Sequence, residues 1–153
     1  MTGPARETFE DNVGVRIIRL AEVFARLARI GIERPWNLRN TDLRILNILD
    51  GAQSIPISEI ARRTHVDKAW ISRSVRELES TGLVQKRLDP RDSRVSLAVL
   101  TPKGRALLEE IRPHVLAAEI EVLDGIRSPG LKRDLDRLLR NAEAILAKAG
   151  RET

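Results

Sequence analysis

Between Ile57 and Leu100 the spacing of apolar residues changes period twice, and few folds accept that succession in so short a stretch. Ile57, Ile60 and Ala61 recur at i, i+3 and i+4, the pattern of one helix face over residues 57–66. A break follows at Thr64-His65-Val66. Asp67 stands where it can cap a second helix, 67–81, which buries Ile71, Val75 and Leu78 and which Gly82 can end. Residues 83–88 (LVQKRL) and 94–100 (RVSLAVL) then read as two strands rich in Val and Leu, joined by a five-residue hairpin loop.

The flanks are helical. Residues 13–30 carry a charged stripe of Arg19, Glu22, Arg26 and Arg29, and nearly everything else on that helix, including Ile17 and Phe24, is apolar. A surface helix needs only one apolar stripe, so this one is expected to touch more than one neighbour. Residues 31–40 read as a loop punctuated by Gly31 and Pro35. Residues 41–50 read as a short helix capped by Thr41, with Leu43, Leu46 and Ile48/Leu49 on the buried side. Thr101-Pro102 opens a long helix to about Ile126, and Pro113 is expected to kink it near residues 109–112.

In the last helix, 131–149, Leu131, Leu135, Leu138, Ala142, Ile145 and Ala149 form a heptad-like seam. A seam of that length beside an unusually apolar first helix points to packing between subunits, with Ile17, Phe24, Leu131, Leu135, Leu138 and Ile145 at the interface. The expected fold class is mainly α with a small β-wing. A winged helix-turn-helix core is flanked by N- and C-terminal dimerisation helices. All 153 residues are expected to form one domain, with a DNA-binding lobe at 41–100 and dimerisation helices within 8–34 and 102–150.

Composition narrows the function. Hydrophobic residues at 42% and charged residues at 32% describe a folded chain rather than a disordered one. A net charge of +5 favours an anionic partner, although on charge alone a solvated basic surface is the plainer reading. The absence of cysteine excludes disulfides, thiol redox chemistry and thiolate metal sites. No apolar run approaches the roughly 20 residues needed to span a bilayer, and the N-terminus lacks a secretion signal pattern, so a cytoplasmic location is expected. The aromatics are Phe9, Phe24, Trp36 and Trp70 with no tyrosine, which argues against a base-stacking sheet for single strands. No nucleophile with a partnering base, no glycine-rich phosphate loop and only two distant histidines are present, so neither an enzyme, a cofactor nor a metal site is expected.

Double-stranded DNA fits better. The second helix of a helix-turn-helix enters the major groove and brings its N-terminal half to the base edges. Here that half presents Lys68, Ala69, Trp70, Ser72 and Arg73. Arg73 has the planar fork for a bidentate contact to guanine, whereas Lys68 and Arg76 are read as phosphate contacts. Ser72 is read as a contact to phosphate or to a base, and Trp70 as touching a thymine methyl or packing under the wing. Arg62 and, in the turn, His65 are supporting candidates; His65 is read as structural or phosphate-contacting. A polar solvated face is the plainer reading, but Lys68, Arg73 and Arg76 lack acidic neighbours on the same early turns.

The stretch GLVQKRLDPRDSRVSLAVLTPKG, residues 82–104, resembles the MarR family (multiple antibiotic resistance regulators). The likeness lies in Gly-Leu-Val, a basic position, an Asp-Pro-Arg-Asp-x-Arg wing and Leu-Thr-x-x-Gly at the next helix start. It implies a homodimer whose terminal helices interleave and whose two lobes read a palindromic operator, commonly as a repressor released by a small-molecule effector. It also implies that Arg94 enters the minor groove and that Asp92 helps to hold the wing arginines. Turn chemistry alone accounts for Asp89, Pro90, Asp92 and Ser93, but leaves Arg91 and Arg94 unexplained. A narrow minor groove and a phosphate would explain both.

Without cysteine the chain departs from the peroxide-sensing members, and with only His65 and His114 it departs from the zinc-responsive ones. An effector pocket implied by the resemblance has Trp36, Phe24 and Phe9 as aromatic candidates, though aromatics are more often core. The rival reading is an architectural winged-helix protein that binds DNA without reading its sequence.

Overall fold

The computed structural model describes residues 12–126 and 129–150. Its elements are α1 (Val13–Ala28), a π-helical turn (Arg29–Glu33), α2 (Arg34–Trp36), α3 (Asn40–Asp50), β1 (Ile55–Pro56), α4 (Ile57–Thr64), α5 (Lys68–Ser80), β2 (Val84–Leu88), β3 (Ser96–Leu100), α6 (Pro102–Val122) and α7 (Leu131–Ala149). The mainly helical class with a small antiparallel wing is the one expected. The chain falls into two compact units that divide after Ala118.

The core of the first unit is closed. Ile45, Leu46 and Leu49 of α3, Ile60 of α4, and Ile71 and Val75 of α5 meet Val84 and Ala98 of the sheet and Leu108 and Ile111 of α6. Each Val, Leu or Ile side chain so buried contributes roughly 1.5–3 kcal/mol, and the methyl of Ala98 less. Leu43 and Ile48, expected inside, are only partly buried, and Ile45 takes the inner position.

Local chemistry sets the helix ends. Thr64 Oγ1 donates to the carbonyl of Ile60 at 2.8 Å, and His65 then turns left-handed at φ 54° to close α4. Asp67 Oδ1 accepts the backbone N–H groups of Ala69 (2.8 Å) and Trp70 (3.2 Å), capping α5 as expected. Gly82, at φ 74°, ends that helix, with Leu83 N–H donating to the carbonyl of Leu78 at 3.0 Å. Thr101 Oγ1 accepts the N–H of Gly104 at 3.0 Å and so caps α6.

Three features differ from the sequence reading. The 31–40 segment is not a loop throughout: helix continues to Trp36. Pro35 has no N–H for the carbonyl four residues back, and just before it the ladder widens, with Arg34 N–H donating to the carbonyl of Arg29. Asn37, in the left-handed region at φ 51°, provides the stop. Second, α3 starts one residue before Thr41, and its cap runs backwards: Asp42 Oδ2 accepts the N–H of Arg39 at 3.0 Å. Third, the wing sheet has three strands in the order β1-β3-β2. The two-residue β1 pairs Ile55 with Ala98 and Pro56 with Leu97. β2 and β3 are antiparallel from Val84 opposite Leu100 to Leu88 opposite Ser96, so the connecting tip has seven residues rather than five.

The second unit holds the end of α6 and all of α7. Leu135, Leu138, Leu139, Ile145 and Leu146 are exposed on α7, and no residue of that helix is buried. Among the described residues no helix is long and apolar enough to cross a membrane.

Candidate nucleic-acid interface

Helix α5 has two chemically distinct sides. Ile71, Ser74, Val75 and Leu78 are buried, which leaves Lys68, Ala69, Trp70, Arg73 and Arg76 exposed, with Ser72 half-buried. The spacing of 69, 72, 73 and 76 is that of one helix face. Arg76 lies along its own helix, its Nε 3.4 Å from the carbonyl of Ser72.

Trp70 is exposed in the free chain and lies beside two cations. Its ring is 44% exposed and has two guanidinium groups near it, Arg73 at 5.8 Å and Arg39 at 5.9 Å from the ring centroid. Both are within the range of a cation–π attraction. The sequence reading missed Arg39, which lay inside a segment assigned as loop. The available signal was Asp42 three residues later, the spacing at which a carboxylate folds back onto a helix start.

Arg39 is held firmly. Its Nε meets Asp42 Oδ2 at 2.8 Å and its Nη2 meets Asp42 Oδ1 at 2.9 Å, a bidentate fork on a nearly buried carboxylate. The same Nη2 reaches Ser74 Oγ at 3.4 Å and pairs with Glu77 on α5. The hydrogen bond to Asp42, ahead of the other influences, raises the Arg39 pKa above its ordinary value.

At the wing tip both aspartates serve the backbone. Asp89 Oδ1 accepts the N–H of Arg91 at 2.8 Å, and Asp92 Oδ1 accepts the N–H of Arg94 at 3.0 Å. Asp89 N–H donates to the carbonyl of Val95 at 2.9 Å, which extends the ladder one step past β2. Asp92 therefore fixes the main chain at Arg94 and not its guanidinium. The side chains of Arg91 and Arg94 are exposed, and no ion pair of either is present among the described residues.

The supporting positions separate. His65 sits in the left-handed turn between α4 and α5. Arg62 is already engaged, with Nη2 2.7 Å and Nε 2.8 Å from the two oxygens of Glu59, and Arg63 Nε shares Glu59 Oε1 at 2.7 Å. Those hydrogen bonds, from Arg62 first and Arg63 second, hold the Glu59 carboxyl at a pKa of about 2. One carboxylate thus offsets part of the positive charge of these two arginines.

A cleft of about 760 Å³ lies in the first unit, lined by Trp36, Leu38, Arg39, Lys103, Leu107 and Glu110 among others. Trp36 Nε1 donates to Glu110 Oε1 at 2.8 Å, and its ring meets His114 edge-on at 5.0 Å. Phe24 does not line this cleft; it is exposed on α1 with Ile17. Phe9 lies outside the described residues. Of the interface candidates, Ile17, Phe24, Leu135, Leu138 and Ile145 are exposed and Leu131 is partly so.

Comparison with known proteins agrees with this architecture. The MarR family model matches residues 36–95. The uncharacterized HTH-type transcriptional regulator YdgJ of Bacillus subtilis (strain 168) is 30% identical over 111 residues, 72% of this chain and 68% of that protein. The HTH-type transcriptional repressor Rv2887 of Mycobacterium tuberculosis (strain ATCC 25618 / H37Rv) is 29% identical over 118 residues, 77% of this chain and 80% of its own. The crystal structure of CouR from Rhodococcus jostii RHA1 bound to p-coumaroyl-CoA is similar at a TM-score of 0.78 with 25% identity, over 87% of this chain and 93% of that one.

Proposed function

This chain belongs to the MarR family of winged helix-turn-helix DNA-binding transcriptional regulators, and from that premise we propose that it acts as a homodimeric repressor on a palindromic operator, released by a small-molecule effector. The observation that carries the reading is the two-sidedness of α5: one face is buried in the lobe, and the other presents Lys68, Arg73 and Arg76 with no competing carboxylate on its first turns. Arg73 reads a base edge, Lys68 and Arg76 meet phosphate, and Ala69, Trp70 and Ser72 line the same face. Arg94 enters the minor groove from the wing, Arg91 meets phosphate, and Asp92 keeps the tip in shape. Arg62 and His65 approach the backbone from the turn. The protein works in the cytoplasm, where its DNA is, and has no catalytic role.

Dimerisation is supported by the uncovered apolar side chains of α1 and α7, Ile17, Phe24, Leu135, Leu138 and Ile145 among them. With Leu131 at the start of the seam, they meet the same helices of a second copy. The cleft beside Trp36 is of a size that takes a small, mostly apolar ligand with a few polar anchors. CouR, bound to p-coumaroyl-CoA, is a precedent for a ligand on this architecture.

The test is discrimination. At one salt concentration the purified protein should bind a cognate palindrome about 10³-fold or more tighter than a random duplex of equal length. Little discrimination with a steep salt slope would make it an architectural DNA-binding protein instead. Arg94→Ala should weaken binding strongly while leaving the thermal unfolding curve in place. Unchanged affinity in that folded variant would remove the wing from the interface.

A further inference from the structure

We propose that Arg39 is a positioning residue for Arg73, acting through the indole of Trp70; the inference rests on the reading that Arg73 meets DNA. Arg39 stands at the start of α3, outside the helix-turn-helix, and has no part in a lobe that binds DNA by α5 and the wing alone. Yet its guanidinium is anchored on both helices, by Asp42 on α3 and by Ser74 and Glu77 on α5. That leaves a fixed cation 5.9 Å from the centroid of an exposed tryptophan on the candidate DNA-reading face.

The indole is the shared element. A tryptophan face attracts cations, and here it meets Arg39 and Arg73 at nearly equal distances. Two guanidiniums beside one ring would ordinarily repel each other. Asp42 and Glu77, both paired to Arg39, balance the two positive charges, so Arg73 can share the ring. Arg39 therefore holds the ring, and the ring gives the exposed Arg73 side chain a preferred direction. A side chain already directed loses less freedom when it meets a base. Arg39 also lines the cleft beside Trp36, so the direction of Arg73 is tied to a residue that a cleft ligand would meet.

The chain has two tryptophans and no tyrosine, so Trp36→Phe leaves Trp70 as the only indole fluorophore. In that full-length background, Arg39→Met should shift Trp70 emission and increase its quenching by acrylamide without DNA present. Arg39→Met alone leaves the nearly buried Asp42 unpaired, which threatens folding. The double variant Arg39→Met/Asp42→Asn removes that charge while keeping an acceptor for the backbone N–H of residue 39, and it should give the same optical change with a cooperative melt.

On DNA, the double variant should lose about two- to five-fold in affinity for the cognate duplex, the range set by an exposed cation–π contact. Added to Arg73→Ala it should have no further effect. An unchanged Trp70 signal overturns the proposal, as does an equal loss with and without Arg73. If Arg73→Ala has no effect on binding, the DNA reading of Arg73 fails, and the Trp70 signal still decides whether Arg39 positions the ring.

Discussion

Helices α5 and α7 were written with the same grammar. Each carries large apolar residues three and four positions apart, and each presents charge on the remaining face. In α5, Ile71, Val75 and Leu78 are buried by α3, α4 and the sheet. In α7 nothing is buried, and Ile145 remains 67% exposed. An apolar stripe therefore reports that a helix needs a neighbour, but not which chain supplies it. The lobe satisfies its own stripes. The terminal helices leave theirs uncovered among the described residues.

The largest effect should come from charging the uncovered stripe. Leu135→Asp with Leu138→Asp is expected to abolish the dimer, measured by sedimentation equilibrium, while the lobe keeps its fold. A dimer of unchanged affinity would place the interface elsewhere and break the contrast. Next in size are matched truncations. Ile71→Ala should cost about 2–5 kcal/mol in denaturant unfolding, because it opens a cavity in a closed core. Ile145→Ala should cost only what dimerisation supplies, so its effect should depend on protein concentration whereas that of Ile71→Ala should not. Equal, concentration-independent losses would mean that α7 is buried within its own chain.

The smallest effect concerns a surface pair within the lobe. The pKa of Glu59 is lowered from 4.5 to about 2 by Arg62 and Arg63. A depressed carboxyl stabilises the folded state above its unfolded pKa and loses that contribution as pH falls through the folded one. Wild type and Glu59→Gln should therefore differ slightly above pH 4.5 and converge as the pH approaches 2, seen in melting temperature against pH. The difference should shrink in high salt, as exposed ion pairs do. A gap that persists at pH 2 would locate the contribution of Glu59 outside its arginine pairs.

What the sequence made legible was local. The caps at Asp67 and Thr101 and the stop at Gly82 are bonds or backbone angles within three or four residues, and they stand where the residue types suggested. The buried face of α5 followed from periodicity in the same way. Strand β1 was invisible because two residues have no period; pairing with β3, some 40 positions on, defines it. Arg39 was hidden for a related reason, since its partners Ser74 and Glu77 lie 35 and 38 positions away. Pro35 and Gly31 misled because a π turn can carry a helix through residues that ordinarily break one.

Gly104 sets a limit on how such a regulator can be rebuilt. A Cβ there would lie 2.2 Å from the carbonyl oxygen of Leu83 and 2.7 Å from Leu100 Cδ1, so the first turn of α6 is pressed directly onto the root of the wing. Any larger residue would lever helix and wing apart. A chimaera that joins this DNA-binding lobe to a different C-terminal segment should therefore take its junction beyond Ile111, inheriting the wing and the first turns of α6, with Leu108 and Ile111 in the lobe core, as one transplantable piece.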